Sequence, residues 1–247
     1  MSTKTILEAR DVAIGWSRDE VLLEHASFEV HEGEIFGLLG RSACGKTTLL
    51  RVLIGLEEPL AGAITIEGVG APSLRAGHPP FGVMFQQGAL FGSMTVGQNI
   101  ALPLERWTRL PGDAIRAMVQ AKLRLVGLEA AEHQLPSTLS GGMRKRAAIA
   151  RAMALEPSLL FLDEPSSGLD PVTSAELDRL IATLARVLGL TVVLVTHELG
   201  SIHGIVDRCI MLDRDTKSVL ASGAPGELRA SPNPRVQHFF NRTPEAD

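Results

Sequence analysis

The stretch Gly40-Arg41-Ser42-Ala43-Cys44-Gly45-Lys46-Thr47, with Thr48 behind it, fits the pattern GxxxxGK[ST], whose chemistry is phosphate binding. In such a loop the main-chain N–H groups wrap phosphate oxygens, and the next helix adds the positive end of its dipole. Lys46 places a point charge near the β- and γ-phosphates, and the Thr47 hydroxyl can ligate Mg²⁺. The pattern carries weight only between a buried strand and a helix. Ile35-Phe36-Gly37-Leu38-Leu39 supplies the first, and the run through Leu49, Leu50, Val52, Leu53 and Ile54 the second. A glycine-rich turn before an ordinary helix would not need Lys and Thr in these places as well. Ala43 stands where glycine is common. A positive φ there costs an L-residue about 1–2 kcal/mol, so a negative φ is expected, with the neighbours completing the loop. Cys44 is expected to be a small packing residue, not a reactive thiol.

Two further stretches can act on a bound phosphate. Leu159-Leu160-Phe161-Leu162-Asp163-Glu164-Pro165 reads as a buried strand ending in two carboxylates. Asp163 at the tip suits Mg²⁺ coordination, direct or through water, and Glu164 can orient or deprotonate an attacking water. Strand-end acids are often only solvated caps, and the phosphate loop is what favours the catalytic reading. Leu139-Ser140-Gly141-Gly142-Met143 opens a helix whose apolar positions include Ala147, Ile149, Ala150, Met153 and Ala154. Ser140 is a natural N-cap, and Gly141-Gly142 exposes N–H groups, which makes a second anion site. Capping alone would explain Ser-Gly-Gly, but its place just upstream of the Asp163 strand points to function. The basic run Arg144, Lys145 and Arg146 is expected to be solvated, with at most one contact to nucleotide.

The elements that must position these residues are those of an α/β core. Ile35–Leu39, Val83-Met84-Phe85, Leu159–Leu162, Val192-Val193-Leu194-Val195 and Cys209-Ile210-Met211-Leu212 are continuous apolar runs, as in strands buried on both faces of a parallel sheet. A helical pattern from Ala175 to Leu188 follows the turn at Asp170-Pro171 and implies crossover connections. Ile6 to Ile14, Val21 to Val30 and Ala63 to Ile66 instead resemble a small antiparallel β portion, and Gly70 to Pro80 a surface loop. From Thr95 to Pro157 strand signals vanish and helical periodicity takes over, at Asp113 to Val126 and Ser140 to Leu155. That reads as a helical subdomain inserted in the core. The tail from Pro232 to Asp247 is polar and expected to fray after Phe240.

Composition removes several function classes. Of 247 residues, 24 are Lys or Arg and 28 are Asp or Glu, so the formal net charge is −4 and no basic excess faces a phosphate backbone. Aromatics are 4% with no Tyr, which leaves few stacking platforms for single strands, so no nucleic-acid partner is expected. Two cysteines, Cys44 and Cys209, build no disulfide framework and no Cys-rich zinc site. Met1 to Asp11 has no apolar signal region, and no apolar run approaches the roughly 18–20 residues that cross a bilayer. The expectation is a soluble cytoplasmic protein; any membrane crossing falls to another polypeptide.

A phosphate loop, a Leu-Ser-Gly-Gly helix start, an Asp-Glu strand end and a later His after a buried strand together resemble an ABC transporter ATPase subunit. The resemblance runs from about Leu7 to about Phe240. It implies an α/β, P-loop NTPase (RecA-like) core with an N-terminal antiparallel β subdomain and an inserted helical subdomain. The single ABC ATPase domain would span residues 4–240, with core and β subdomain at 4–90 and 158–228, the helical subdomain at about 91–157 and a C-terminal segment at 229–247. It also implies ATP and Mg²⁺ as ligands, and a head-to-tail homodimer with two ATP molecules at the interface. Each phosphate loop would then face Ser140, Gly141 and Gly142 of the other copy. Two helix N-termini, one per protomer, suit the charge of a triphosphate.

Further roles come from the same resemblance. Gln86 matches the Q-loop glutamine, which senses Mg²⁺ and the attacking water and links to the membrane partner, with Gln87 the weaker candidate. His197 matches the histidine that contacts the γ-phosphate; without the family it would read as structural. Ser167-Gly168-Leu169-Asp170 matches the D-loop, where Asp170 ties the two active sites together. Trp16 sits where the family stacks an aromatic on adenine, against the alternative of core packing.

Within the family, Gly82 to Phe91, Met94-Thr95-Val96, Met143 in place of the usual Gln, and Asn233 to Phe240 are similar to the ATPases of the Mla/MCE lipid-transport systems. That similarity implies an integral-membrane permease, an MCE-domain protein and, in many systems, a STAS-domain partner. It also implies phospholipid transport between inner and outer membranes, with this chain peripheral on the inner membrane. Asn233 to Phe240 is either a docking helix for a regulator or a terminal packing element. Two other readings stay open: an importer ATPase for a polar solute such as an amino acid, and a soluble ABC-type ATPase acting on nucleic acid.

Overall fold

The computed structural model describes residues 4–73 and 80–241, in two compact units. One unit takes the described residues before 74 and after 190; the other is residues 80–190. The expected loop at 70–80 lies partly outside the described residues, as does the tail from 242 onward. In chain order the elements are β1 (Thr5–Gly15), β2 (Val21–His31), β3 (Ile35–Gly40), α1 (Lys46–Leu53), β4 (Ala61–Ile66), β5 (Phe81–Met84), α2 (Val96–Trp107) and α3 (Gly112–Val126). There follow α4 (Gly141–Ala152), β6 (Leu159–Asp163), α5 (Pro171–Leu188), β7 (Thr191–Val195), α6 (Leu199–Ile205), β8 (Arg208–Asp213), β9 (Ser218–Gly223), α7 (Pro225–Arg229) and α8 (Pro234–Asn241).

In the first unit β1 lies between β2 and β4 in an antiparallel sheet, the expected β portion. β3 runs parallel to β7 on one side and β8 on the other, with Ile35 opposite Val192 and Phe36 opposite Arg208; β9 closes the edge antiparallel to β8. Every residue of β3 and β7 is buried, which is why their sequences run apolar without alternation. Phe28 of β2 stacks on Phe36 of β3 at 5.7 Å between ring centroids. In α8, Val236 and Phe240 are buried, and Arg235 pairs with Asp213 at 2.8 Å. This helix is a packing element of its own unit.

In the second unit β5 and β6 pair in parallel, Phe81 opposite Leu159 through Met84 opposite Leu162, and helices make up the rest. α2 begins with a capping box: Thr95 accepts from the Gln98 N–H while the Gln98 side chain accepts from the Thr95 N–H. α5 starts at Pro171 rather than the expected Ala175. Asp170 caps it, and proline at the first helical position gives up no needed N–H. It ends at Gly189, φ 65°, and α3 ends at Gly127, φ 67°, both in the left-handed C-cap conformation. α4 ends at Ala152, short of the expected Leu155. No helix among the described residues is long and apolar enough to cross a membrane.

Candidate functional site

In the first unit the strand–loop–helix unit assembles as its sequence requires. β3 delivers the chain to Gly40, and α1 begins at Lys46 with no acidic residue in its first turn to compete for an anion. The Lys46 ammonium donates to the Gly40 carbonyl at 2.9 Å and the Arg41 carbonyl at 3.1 Å, with 8% of the residue exposed. It is therefore folded over the loop, poised above the N–H groups that would hold phosphates. Gly45 takes φ 95° as N-cap of α1. Ala43, expected at negative φ, instead takes φ 62°. A left-handed residue inside a loop can turn neighbouring N–H groups to one side, the geometry of an anion-binding nest, at the steric cost of the Ala43 methyl. Cys44 is buried, as expected of a packing residue, and desolvation pushes its thiol up despite the nearby Lys46 charge.

A cavity of about 300 Å³ beside the loop is lined by Trp16, Leu22, Ala43, Gly45, Lys46, Thr47, Thr48 and Arg214. Trp16 is 64% exposed and so is no core residue; its ring stands where a planar base can stack. Thr47 is exposed and Thr48 buried. Arg41 and Ser42 are exposed loop residues, and Arg214 is a lining cation that sequence reading missed, because it sits in a turn without a motif. A larger depression of about 790 Å³ runs beside β4, lined by Val52, Leu56, Ile64 and others with Glu57 and Glu58. Its carboxylates repel a triphosphate. His197 follows β7, exposed, with its Nε2 3.7 Å from Glu198 Oε1.

In the second unit β6 ends on Asp163, 3% exposed, and Glu164, 7% exposed with φ 47°. β5 ends two residues before Gln86, and continuing the β5–β6 register places Gln86 opposite Glu164. Gln86 and Gln87 are exposed. Lys145 corrects the sequence reading. It is buried, not solvated, and its Nζ donates to the Gln86 carbonyl and, at 3.2 Å, to the Glu164 carbonyl. Burial pushes this ammonium below the ordinary lysine value, while the Glu164 and Asp163 charges push it back up. Six residues further along α4, Arg151 donates to the carbonyls of Ala89 at 2.6 Å and Gly88 at 2.8 Å.

Ser140 caps α4, its Oγ accepting from the Met143 N–H at 3.2 Å. Gly142 is required for packing: a Cβ there would meet Thr173 Cγ2 at 2.6 Å. Asp170 Oδ1 accepts from the N–H groups of Val172 and Thr173, both at 3.1 Å. The bond to Thr173 holds its carboxyl below the usual carboxylate range. In this chain Asp170 is thus a helix cap, whatever else it touches.

Each unit holds side chains of the type that bind a hard cation, Thr47 in the first and Asp163 and Gln86 in the second. Thr47 offers a hydroxyl, Asp163 a carboxylate and Gln86 an amide oxygen, all hard ligands of the kind Mg²⁺ takes. Among the described residues no three His, Cys, Asp or Glu side chains gather into a metal cage. A Mg²⁺ that keeps waters and binds through substrate phosphates needs no such cage.

Comparison with known proteins gives consistent results. Residues 23–167 match the family described as ABC transporter. The chain is 38% identical over 245 residues, 97% of its length and 90% of the relative's, to the intermembrane phospholipid transport system ATP-binding protein MlaF of Escherichia coli K12. It is 41% identical over 223 residues to the probable ribonucleotide transport ATP-binding protein mkl of Mycobacterium leprae, covering 88% of this chain and 64% of that protein. Its fold matches a dimeric structure of the ATP-binding cassette MJ0796 bound to ADP and Pi, with TM-score 0.78 and 28% identity, over 89% of this chain and 98% of the other.

Proposed function

We propose, from the premise that this chain belongs to the ABC transporter family, that its ATP hydrolysis drives phospholipid between the inner and outer membranes through a separate integral-membrane permease. The chain is an ATPase of that family, with the family's P-loop NTPase fold. The observation that supports the cargo is the length of the match to MlaF, 97% of this chain and 90% of that one. A second reading, a polar-solute importer, is supported by a match to the methionine import ATP-binding protein MetN of Caulobacter vibrioides, 40% identical over 91% of this chain, but about a third of that protein stays unmatched.

The reaction is in-line attack of water on the γ-phosphate of ATP. Trp16 stacks on adenine while the loop N–H groups and the Lys46 ammonium take the β- and γ-phosphate charge. Glu164 accepts a proton from the water as its oxygen bonds to the γ-phosphorus. The bond to the bridging oxygen breaks, and ADP and phosphate leave. His197 steadies the γ-phosphate, and Gln86 orients the water. Thr47, Asp163 and Gln86 would hold Mg²⁺, which when bound neutralises phosphate charge. Ser140, Gly141 and Gly142 of a second copy offer their helix N-terminus to the same γ-phosphate, so the active unit is a homodimer. Asp170, seated at the start of α5, stands for the link between its two sites. The permease, an MCE-domain protein and a STAS-domain protein complete the proposed assembly.

Affinity purification of the tagged full chain from solubilised membranes tests the cargo. Co-purification of a permease, an MCE-domain protein and bound phospholipid is expected. A permease with a periplasmic solute-binding protein in its place overturns phospholipid transport in favour of the importer reading.

A further inference from the structure

We propose that Lys145 is a positioning residue for hydrolysis, its buried ammonium tying the main chain of Gln86 to the main chain of Glu164. This rests on the reading that Glu164 is the general base and Gln86 the water-orienting amide. The two carbonyls that Lys145 grips lie 59 and 19 residues away in sequence. They are brought together by the β5–β6 pair, whose last ladder partners are Met84 and Leu162. Two residues beyond, where Gln86 and Glu164 stand opposite each other, the ladder has ended. Lys145 bridges that step from α4, doing with a side chain what the sheet no longer does.

The contact is to backbone, so it occupies neither the Gln86 amide nor the Glu164 carboxylate. It fixes where both side chains start. Glu164 needs such fixing, since its φ of 47° is a left-handed conformation that an L-residue keeps only when its surroundings over-determine it. The Glu164 carbonyl is held twice, by Lys145 at 3.2 Å and by the Ser167 N–H at 3.2 Å. The next turns of the Gln86 loop are held from the same helix, by Arg151 on Gly88 and Ala89. A packing role alone would be met by an apolar side chain, without the desolvation cost of a buried ammonium. Positional slack of about 1 Å at a reacting group costs roughly 10²-fold in rate. That scale sets the expected effect.

The test compares full-length wild type with Lys145→Met, Lys145→Arg and Glu164→Gln, reading single-turnover and steady-state ATP hydrolysis alongside thermal melting. Lys145→Met is expected to lower kcat by about 10- to 100-fold with the KM for ATP within about threefold. Lys145→Arg, which keeps N–H donors, is expected to recover most of that loss. An unchanged kcat in Lys145→Met overturns the proposal. So does a kcat loss shared by KM and melting temperature that Arg leaves unrepaired, because that is a structural role. If Lys145→Met does not fold, Lys145→Arg decides: kcat within about threefold of wild type supports the tether, and a folded variant more than tenfold slower overturns it. Glu164→Gln separates the premise, since turnover near wild type there removes Glu164 as base whatever Lys145 does.

Discussion

Ala43 and Glu164 show how the residue scale works against local preference. Both hold left-handed backbone, φ 62° and 47°, at a conformational cost of about 1–2 kcal/mol each for L-residues. At Ala43 the cost comes from a methyl in a loop whose function is carried by main-chain N–H groups. Ala43→Gly should therefore relieve strain, while glycine's extra freedom in the unfolded chain takes back about 0.4–1 kcal/mol. The expected result is unchanged or slightly raised thermal stability and ATP affinity within about twofold, read by melting and nucleotide titration. A large loss of affinity would show that the methyl itself contacts nucleotide. The loop, the Asp163-Glu164 pair and the Ser140 cap were all legible from residue type and spacing. The φ of Ala43 was not, because the steric penalty is read locally and the gain from enclosing an anion is not. Lys145 was misread for a geometric reason. Three consecutive basic residues on a helix are spread through about 200° of arc, so the middle one can face inward while its neighbours still reach outward, and a run read as one charged patch hides that. Arg144 is exposed, Arg146 half-buried and Lys145 buried.

Among elements, the buried strands and capped helices followed from their sequences because period and caps are local signals. β3, β6 and β7 are fully buried, and apart from Asp163 at the end of β6 and Thr191 at the start of β7 they are apolar. β9, Ser218–Gly223, went unforeseen: it is half-buried along most of its length, so Ser-Val-Leu-Ala-Ser-Gly carries no continuous run. The segment between β5 and α2 was also opaque, since one buried side chain organises it. Asn99 has no exposed surface; its Oδ1 accepts from the Phe91 N–H at 2.8 Å, and its amide donates to the carbonyls of Phe91, Met94 and Thr95. That cluster shapes the stretch leading from the Gln86 loop into α2. Asn99→Ala abandons these partners in a buried place, at about 1–3 kcal/mol for each group left unsatisfied. Three groups, the Phe91 N–H and the carbonyls of Phe91 and Met94, lose this partner, and with roughly 2–4 °C of melting temperature per kcal/mol in a protein of this size a drop of at least about 6 °C is expected. Asn99→Asp keeps the acceptor for Phe91 but sets a carboxylate against three carbonyls, and should be no more stable than the alanine variant. Melting of both variants within a degree or two of wild type would show that water or main-chain rearrangement replaces Asn99.

At the scale of the whole molecule, two helices offer anion-binding N-termini, α1 at Lys46 and α4 at Gly141, and neither has an acidic residue in its first turn. In the proposed homodimer each ATP engages α1 of one copy and α4 of the other. Each copy carries a formal net charge of −4, so long-range electrostatics oppose association, and the bridging phosphates must supply the attraction. Turning a pair from about 1:99 closed to 99:1 closed needs about 5.5 kcal/mol of differential affinity, and hydrolysis must withdraw most of it for the cycle to reset. Glu164→Gln should split the two halves of that cycle. It keeps an uncharged side chain of nearly the same shape, so ATP binding and closure persist, while the proton acceptor is gone. Incubated with Mg²⁺ and ATP, this variant is expected to elute as a stable dimer and to hydrolyse at least a hundredfold more slowly than wild type. Without nucleotide, or with ADP, it should elute as a monomer. High salt during the ATP incubation should leave the dimer intact, because phosphate buried against two helix ends is screened far less than the surface repulsion around it. A variant that stays monomeric with ATP while still binding it would break the link between the triphosphate and assembly, even with the phosphate loop intact.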